Sequence, residues 1–310
     1  MRSCTFQLDK RRGDKVLIPG ERLRLPKLGP VRAAWSYRAI AVMPNSATVS
    51  RNACGQWFVS LQCNGIDVTY PPMTDKTIGL DLGLSTLVAM SDGRKEKPRR
   101  FLKNALRRLK FAQRRLAKAA RGGNNRCKQR SRVARLHQGI ASKRANFLHG
   151  LSTSIVRENQ AIAMEDLNVR GMMANGKLAR SVGDCGWYEL RRQLTYKAKW
   201  YGRQLNIVPR FQRTTGVCPD GGTVGEKLPL RVRSWTCEHC GSAHDRDIAA
   251  ARVIDLIGNT VGARELMPVD WHTNRRRLSL DDGHYPRAGL KQEKRGERER
   301  RGALSPGRER

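Results

Sequence analysis

Residues 77–93, "TIGLDLGLSTLVAMSDG", read as a strand, a tight turn and a second strand. Gly79 and Gly83 flank Asp81, and such small neighbours allow a backbone or a ligand to come close. Asp92-Gly93 is a turn signal that ends the second strand. Asp81 therefore stands where a buried element meets a turn, a place where a scaffold can hold a carboxylate over a cleft.

Two further acids occupy comparable places. Glu165 closes the apolar strand of "AIAMEDLNVRG", and Asp247 lies in "HDRDIAAARVI", where a polar stretch becomes a helix. Taken singly, each has a bland reading. A strand-end Asp is often a turn former, and Asp245 and Asp247 could both simply cap the helix they precede. Glu165 is more telling, because an acid after "AIAM" is costly to bury without a partner. Its neighbour Asp166 reads as a turn residue. Taken together, three carboxylates from separate elements can surround two hard cations. Such an ion pair activates water and stabilises the leaving oxygen of a phosphodiester. Two Mg²⁺ ions are the expected cofactors.

The order of elements supports that geometry. Residues 101–120 form an amphipathic helix, with Leu102, Leu106, Leu109, Ala112, Leu116 and Ala120 on one stripe. "GGNN" at 122–125 breaks it, and a second helix runs to about 158 with Val133, Leu136, Ile140, Phe147, Leu151 and Ile155 on its apolar face. A strand, "QAIAMEDL", then a helix, "GWYELRRQLTYKAKWYG", then a strand, "QLNIVPR", and a last helix follow. A β-hairpin, a helical insert, a strand, a helix and a final helix match an RNase H-like α/β layout. Trp187 and Trp200 fall at helical spacing, which favours core positions over base stacking.

Charge names the partner. The 310 residues carry a formal net charge of +34, an excess best offset by a polyanion. Between Arg94 and Arg144, twenty Lys and Arg residues face a single acid, Glu96. Solvated helix faces mix signs, so a face of one sign reads as a phosphate-binding surface. No apolar run reaches the roughly 20 residues of a membrane span, and the first residues lack a signal-peptide core. The expected setting is a cytosol, nucleoid-associated and without membrane contact, with the eight cysteines reduced.

Three of those cysteines are spaced for chemistry. Cys237-Glu238-His239-Cys240-Gly241 is a C-x-x-C-G knuckle, half of a zinc ribbon. Where the other half should stand is Cys218-Pro219-Asp220-Gly221, so a glycine replaces the fourth thiolate. His239 or His244 is a candidate fourth ligand and Asp220 a weaker one. The alternative is a weakened zinc site held by packing.

The stretches "IGLDLGLSTLVAMSDG", "AIAMEDLNVRGMM", "GWYELRRQLTYKAKWYG" and "WTCEHCGSAHDRDIAAARVI", in this order and spacing, resemble the OrfB/TnpB family of transposon-encoded proteins, relatives of the type V CRISPR effectors. The resemblance spans residues 31–257. It implies a RuvC-like nuclease core over 71–257, with a basic helical hairpin at 100–158 and a zinc-ribbon insert at 214–243. It further implies a partial β-barrel over 1–70 and a disordered basic tail over 258–310. Asp81, Glu165 and Asp247 match the family's three catalytic acids, and Cys218, Cys237 and Cys240 match three ribbon cysteines. The implied activity is RNA-guided cleavage of double-stranded DNA, with a guide RNA from the transposon end. Three departures stand out: a shortened recognition segment at the start, Gly221, and Ala249 where the family carries Asn. They keep two other readings open, a nucleic-acid-binding remnant that does not cut and an accessory or self-acting transposase.

Overall fold

The computed structural model describes residues 2–7, 17–18, 22–25, 29–34, 44–64, 71–226, 229 and 231–259. All of them fall in the first of two units, Met1–Leu266; the second, Met267–Arg310, lies outside the described residues, as does the expected tail from residue 260 onward.

Six strands precede the region of interest: β1 (Arg2–Gln7), β2 (Leu17–Ile18), β3 (Arg22–Leu25), β4 (Gly29–Arg32), β5 (Ser46–Arg51) and β6 (Trp57–Gln62). They form two three-stranded antiparallel sheets, β1-β5-β6 and β2-β3-β4. A tight turn at Asn52–Gly55 joins β5 to β6. Asn52 Oδ1 accepts the N–H groups of Cys54 and Gln56, and Gly55 takes a positive φ of 82°. Leu23 and Leu25 pack with Ala47, flanked by Val59 and Leu61. Phe58 is half exposed and the alternate face carries Ser60 and Gln62, so one face supplies the apolar contacts.

The central element is a five-stranded mixed sheet in the order β11-β10-β7-β8-β9. Its strands are β7 (Thr77–Leu82), β8 (Val88–Met90), β9 (Lys95–Glu96), β10 (Ala161–Glu165) and β11 (Gln204–Val208). The first three in sequence pair antiparallel, and β10 lies parallel to both β7 and β11. Between β9 and β10 run α1 (Phe101–Lys118) and α2 (Asn124–Glu158), packed on each other. Gly122, with a φ of 82°, turns the chain between them. Two short helices, α3 (Val169–Ala174) and α4 (Ala179–Cys185), lead into α5 (Trp187–Trp200). A two-stranded ribbon, β12 (Ser234–Thr236) and β13 (Ala243–Asp245), precedes α6 (Arg246–Asn259). Among the described residues no helix is long and apolar enough to cross a membrane.

Strand alternation sorts the sheet's two faces. Ile78, Leu80 and Leu82 of β7, with Ile162 and Met164 of β10, face the main core with Leu148, Ile155, Trp187, Leu190 and Leu194 of α2 and α5. Gly79, Asp81, Ala163 and Glu165 alternate onto the other face, which is covered by α6. There Ala163 and Val208 pack with Ile254. The helix lies directly on the strand. A Cβ at Gly79 would stand 2.0 Å from the Ala251 carbonyl oxygen and 2.5 Å from the Asp255 nitrogen, and one at Gly258 would stand 2.5 Å from Ala163 Cβ. Polar side chains pin the same contact. Ser91 Oγ accepts the Gly79 N–H and donates to Asp255 Oδ2 at 2.8 Å. Asn259 Nδ2 donates to Asp255 Oδ1 at 2.7 Å and to the Ile78 carbonyl at 3.3 Å.

Because the obstruction at Gly79 is backbone, no rotamer change relieves it. Gly79→Ala is expected to destabilise the protein by about 3 kcal/mol or more, at or above the upper end for overpacked cores. Thermal unfolding of this variant checks the point; a melting temperature equal to the wild type would show that α6 does not rest on β7.

Candidate carboxylate site and thiolate cluster

The three acids named from the sequence all lie on the α6 face. Asp81 is the fifth residue of β7, and Glu165 is the last residue of β10. The β7–β10 register pairs Met164 with Leu80, so the next step along these parallel strands sets Glu165 beside Asp81, with the strands about 4.8 Å apart. Asp247 lies in the first turn of α6, one helical turn before the Ala251 carbonyl that meets Gly79. Following α6 toward its C-terminus, from Ala251 to Asn259, leads down β7 from Gly79 to Ile78. Its N-terminal turn therefore rises toward Asp81.

The electrostatics register this convergence. Burial, then the charge of Glu165, then that of Asp247 push Asp81 up from 3.8 to about 7, against a smaller opposing effect of Arg246. Burial also raises Glu165, offset in part by a hydrogen bond from Thr214. Each outer carboxylate has a hydroxyl donor: Thr214 Oγ1 donates to Glu165 Oε1 at 3.0 Å, and Thr86 Oγ1 donates to Asp247 Oδ2 at 3.0 Å. Lys95 Nζ stands 3.9 Å and Arg233 Nη1 3.5 Å from Asp247. Thr86, Thr214, Lys95 and Arg233 carry no sequence signal; they lie in loops and on a strand edge whose approach depends on the tertiary fold.

The neighbouring acids differ from these three. Asp245 Oδ1 accepts the N–H groups of Asp247 and Ile248 and so caps α6. Burial opposes ionisation there but is outweighed by Lys95, whose Nζ is 2.6 Å away, and the residue is held below its ordinary value. Asp166 is clasped by Arg191 and Arg210. Ala249, the departure in α6, is buried.

The cysteines also meet. The Sγ atoms of Cys218, Cys237 and Cys240 all lie within 4.8 Å of one another, with Cys218 and Cys240 3.6 Å apart. The Thr223 hydroxyl and the backbone N–H groups of Cys240 and His239 hold Cys237 down at about 6, in the thiolate range. Of the candidate fourth ligands, His239 is exposed and Asp220 half exposed. His244 is buried with Nε2 3.3 Å from Cys218 Sγ, but it stands beside that one sulfur and does not join the mutual 4.8 Å group. The gap faces Gly221, where a Cβ would sit 3.9 Å from both Cys218 Sγ and Cys240 Sγ.

Fold and site together define a mixed-sheet α/β protein that gathers three acids on one sheet face and three thiols in the loop feeding its last helix. Residues 59–176 match the OrfB_IS605 family model ("Probable transposase"), and residues 187–254 match the Cas12f1-like TNB domain. The chain thus matches an OrfB_IS605 transposase domain followed by a Cas12f1-like TNB domain. It is 46% identical over 220 residues to a protein of Streptomyces pristinaespiralis named as a candidate RNA-guided DNA endonuclease, covering 71% of this chain and 54% of that one. It is 32% identical over 264 residues to InsQ of Escherichia coli K12, named in the same way, covering 80% and 65%. The chain thus spans between about half and two thirds of the length of these relatives. Its fold is similar to that of a Cas12f1 chain solved with sgRNA and target DNA, at a TM-score of 0.50 and 17% identity over 69% of this chain and 46% of that one.

An acid whose folded value lies near 7 instead of 3.8 favours folding only while protonated. Its contribution is full below 3.8 and is lost as pH rises toward 7. In EDTA, Asp81→Asn is expected to stabilise the protein on the order of 2 to 4 kcal/mol at pH 8 and far less at pH 4. Calorimetric melting across pH checks both the sign and the window.

Proposed function

We propose that this chain is the nuclease portion of an RNA-guided DNA endonuclease of the OrfB/TnpB type, with a RuvC-like, RNase H-like core. The observation that carries the reading is the meeting of Asp81, Glu165 and Asp247 on the α6 face, with Asp81 raised by burial and then by the charges of its two neighbours. A buried carboxylate in repulsion with two others is a site short of positive charge, and divalent cations relieve that shortage. The donors are all oxygens, the chemistry Mg²⁺ prefers. Asp81, Glu165 and Asp247 would hold two Mg²⁺ ions, which when bound activate water and stabilise the leaving oxygen of a phosphodiester. Thr86 and Thr214 orient the outer two carboxylates through their hydroxyls, and α6, seated on Gly79, fixes Asp247 over the strand.

The basic hairpin of α1 and α2 supplies the polyanion surface. Its Lys and Arg residues are predominantly exposed, and backbone contacts of this kind give affinity without sequence readout. The reading assigns it to a guide RNA from the transposon end and its heteroduplex with target DNA, where pairing to the guide carries the sequence specificity. The first 70 residues would be the remnant of a β-barrel, and the expected location is the cytoplasm, at the nucleoid. The thiolate cluster fits zinc, with Cys218, Cys237 and Cys240 as ligands and the fourth position open toward Gly221.

Purified Asp81→Ala protein is expected to bind guide RNA like the wild type and to lose Mg²⁺-dependent cleavage of a matched DNA to background. Cleavage at the wild-type rate would remove the carboxylate assignment. A wild type that holds RNA without cutting any DNA would favour the binding-only remnant, and strand-transfer products would favour a transposase. For the thiolates, Gly221→Cys is expected to tighten zinc by more than the roughly 10- to 100-fold an outer-shell partner is worth. Competition with a chromogenic chelator measures this, and an unchanged affinity would show that the gap does not face the metal.

A further inference from the structure

Helix α5 has a face that the core does not use. Trp187, Leu190, Leu194 and Ala198 point inward, joined by buried Gln193 and Lys197. Outward, at four-residue steps that form one stripe, stand Tyr188, Arg192, Tyr196 and Trp200. Tyr188 is 71% exposed and Trp200 60%, unusual for rings of this size. The stripe is pre-ordered. The Tyr196 and Trp200 rings meet edge to face at 4.6 Å, and the Arg192 guanidinium lies 5.4 Å from the Tyr196 centroid. Glu189 grips that guanidinium with two hydrogen bonds of 2.8 Å, which holds its plane in place.

The stripe also leads somewhere. Tyr188 lines a cleft with Glu165, Arg191 and Arg210. From that cleft to Trp200 the helix rises about 18 Å, the length of roughly five stacked nucleotides.

We infer that the outer face of α5 is a stacking track for single-stranded DNA that ends at the cleft beside Glu165. Rings and a fixed guanidinium plane offer π-faces to unpaired bases, whereas a duplex keeps its bases stacked on one another. The flanking cations are Arg191, Arg192 and Lys199, of which Arg191 is paired with Asp166 and Arg192 with Glu189, the one acid of the helix. A polyanion suits that surface better than an apolar protein face. The choice of DNA rests on the nuclease reading above, since the track opens onto Glu165.

The test measures binding of a fluorescent single-stranded DNA oligonucleotide to the full chain by anisotropy. EDTA stops any cleavage, and raised salt weakens the phosphate contacts of the basic hairpin. Tyr188→Ala and Trp200→Ala are each expected to weaken binding roughly 5- to 100-fold. Trp200→Phe should retain most of the affinity, and the strand should quench Trp200 emission. Duplex binding and melting temperature should stay at wild-type values. Unchanged affinity in both alanine variants would overturn the inference, as would an equal loss for duplex. So would a loss confined to an RNA oligonucleotide, or a change only in the mass of a self-associated species by sedimentation. Asp81→Asn keeps the two readings apart: it should bind the strand like the wild type, and if it still cut DNA, the carboxylate reading would fail while the track stood.

Discussion

The seating of α6 on β7 without an intervening side chain governs everything on that side of the sheet. At Gly79 the helix backbone occupies the space a Cβ would need, and at Gly258 it presses against Ala163 in the same way. The alanine run Ala249, Ala250 and Ala251 lets the helix lie low, and the Ser91–Asp255–Asn259 hydrogen bonds fix its position. Asp247 then has little freedom. It starts the helix one turn from the Gly79 contact, and Asp81 is two residues farther along the strand, on the same face. A bulkier residue at 79 would lift the helix and separate the acids.

Such closeness has an electrostatic cost, and the surroundings are arranged around it. Burial and repulsion both act on Asp81, while Thr214 and Thr86 support Glu165 and Asp247. Lys95 reaches the same helix start but bonds Asp245, the cap, more closely than Asp247. Asp245 and Asp166 are thus held in close ion pairs, whereas Lys95 and Arg233 stand 3.9 and 3.5 Å from Asp247 at the edge of the three-acid group. On the opposite face, Lys197 is buried with Nζ donating to the His149 carbonyl, Ser152 Oγ and Thr153 Oγ1, and burial lowers its pKa. Those bonds lock α5 to α2, so the outward stripe of α5 has a firm base.

Much of this was legible residue by residue. The helix break at Gly122–Asn125, the β5–β6 turn and the positions of the three acids at element ends all follow from local rules of turns and periodicity. Other features were not. The apolar stripe expected for α2 includes Leu151, but Leu148, Ser152 and Val156 are the fully buried residues, and Ser152 Oγ accepts from Lys197 and donates to Gln193 across the helix interface. Helix α1 begins at an Arg with no side-chain cap; its first N–H groups are accepted by Asp184, some eighty residues later in the chain. The short helices α3 and α4 lack a period long enough to read. Trp187 and Trp200 look alike at helical spacing, yet one is core and the other exposed.

Local chemistry in the chain therefore sets which residues can start, stop and line each element, and the strong positive charge sets the kind of partner. These depend on backbone conformation and composition, both of which act over a few residues. The fold alone decides which of several strand-end acids come together, that Thr86 and Thr214 support them, that His244 stands beside Cys218, and that Gly221 faces the gap among three sulfurs. Those outcomes depend on how closely two backbones can approach and on charges brought side by side from distant segments, and neither quantity exists until the chain has packed.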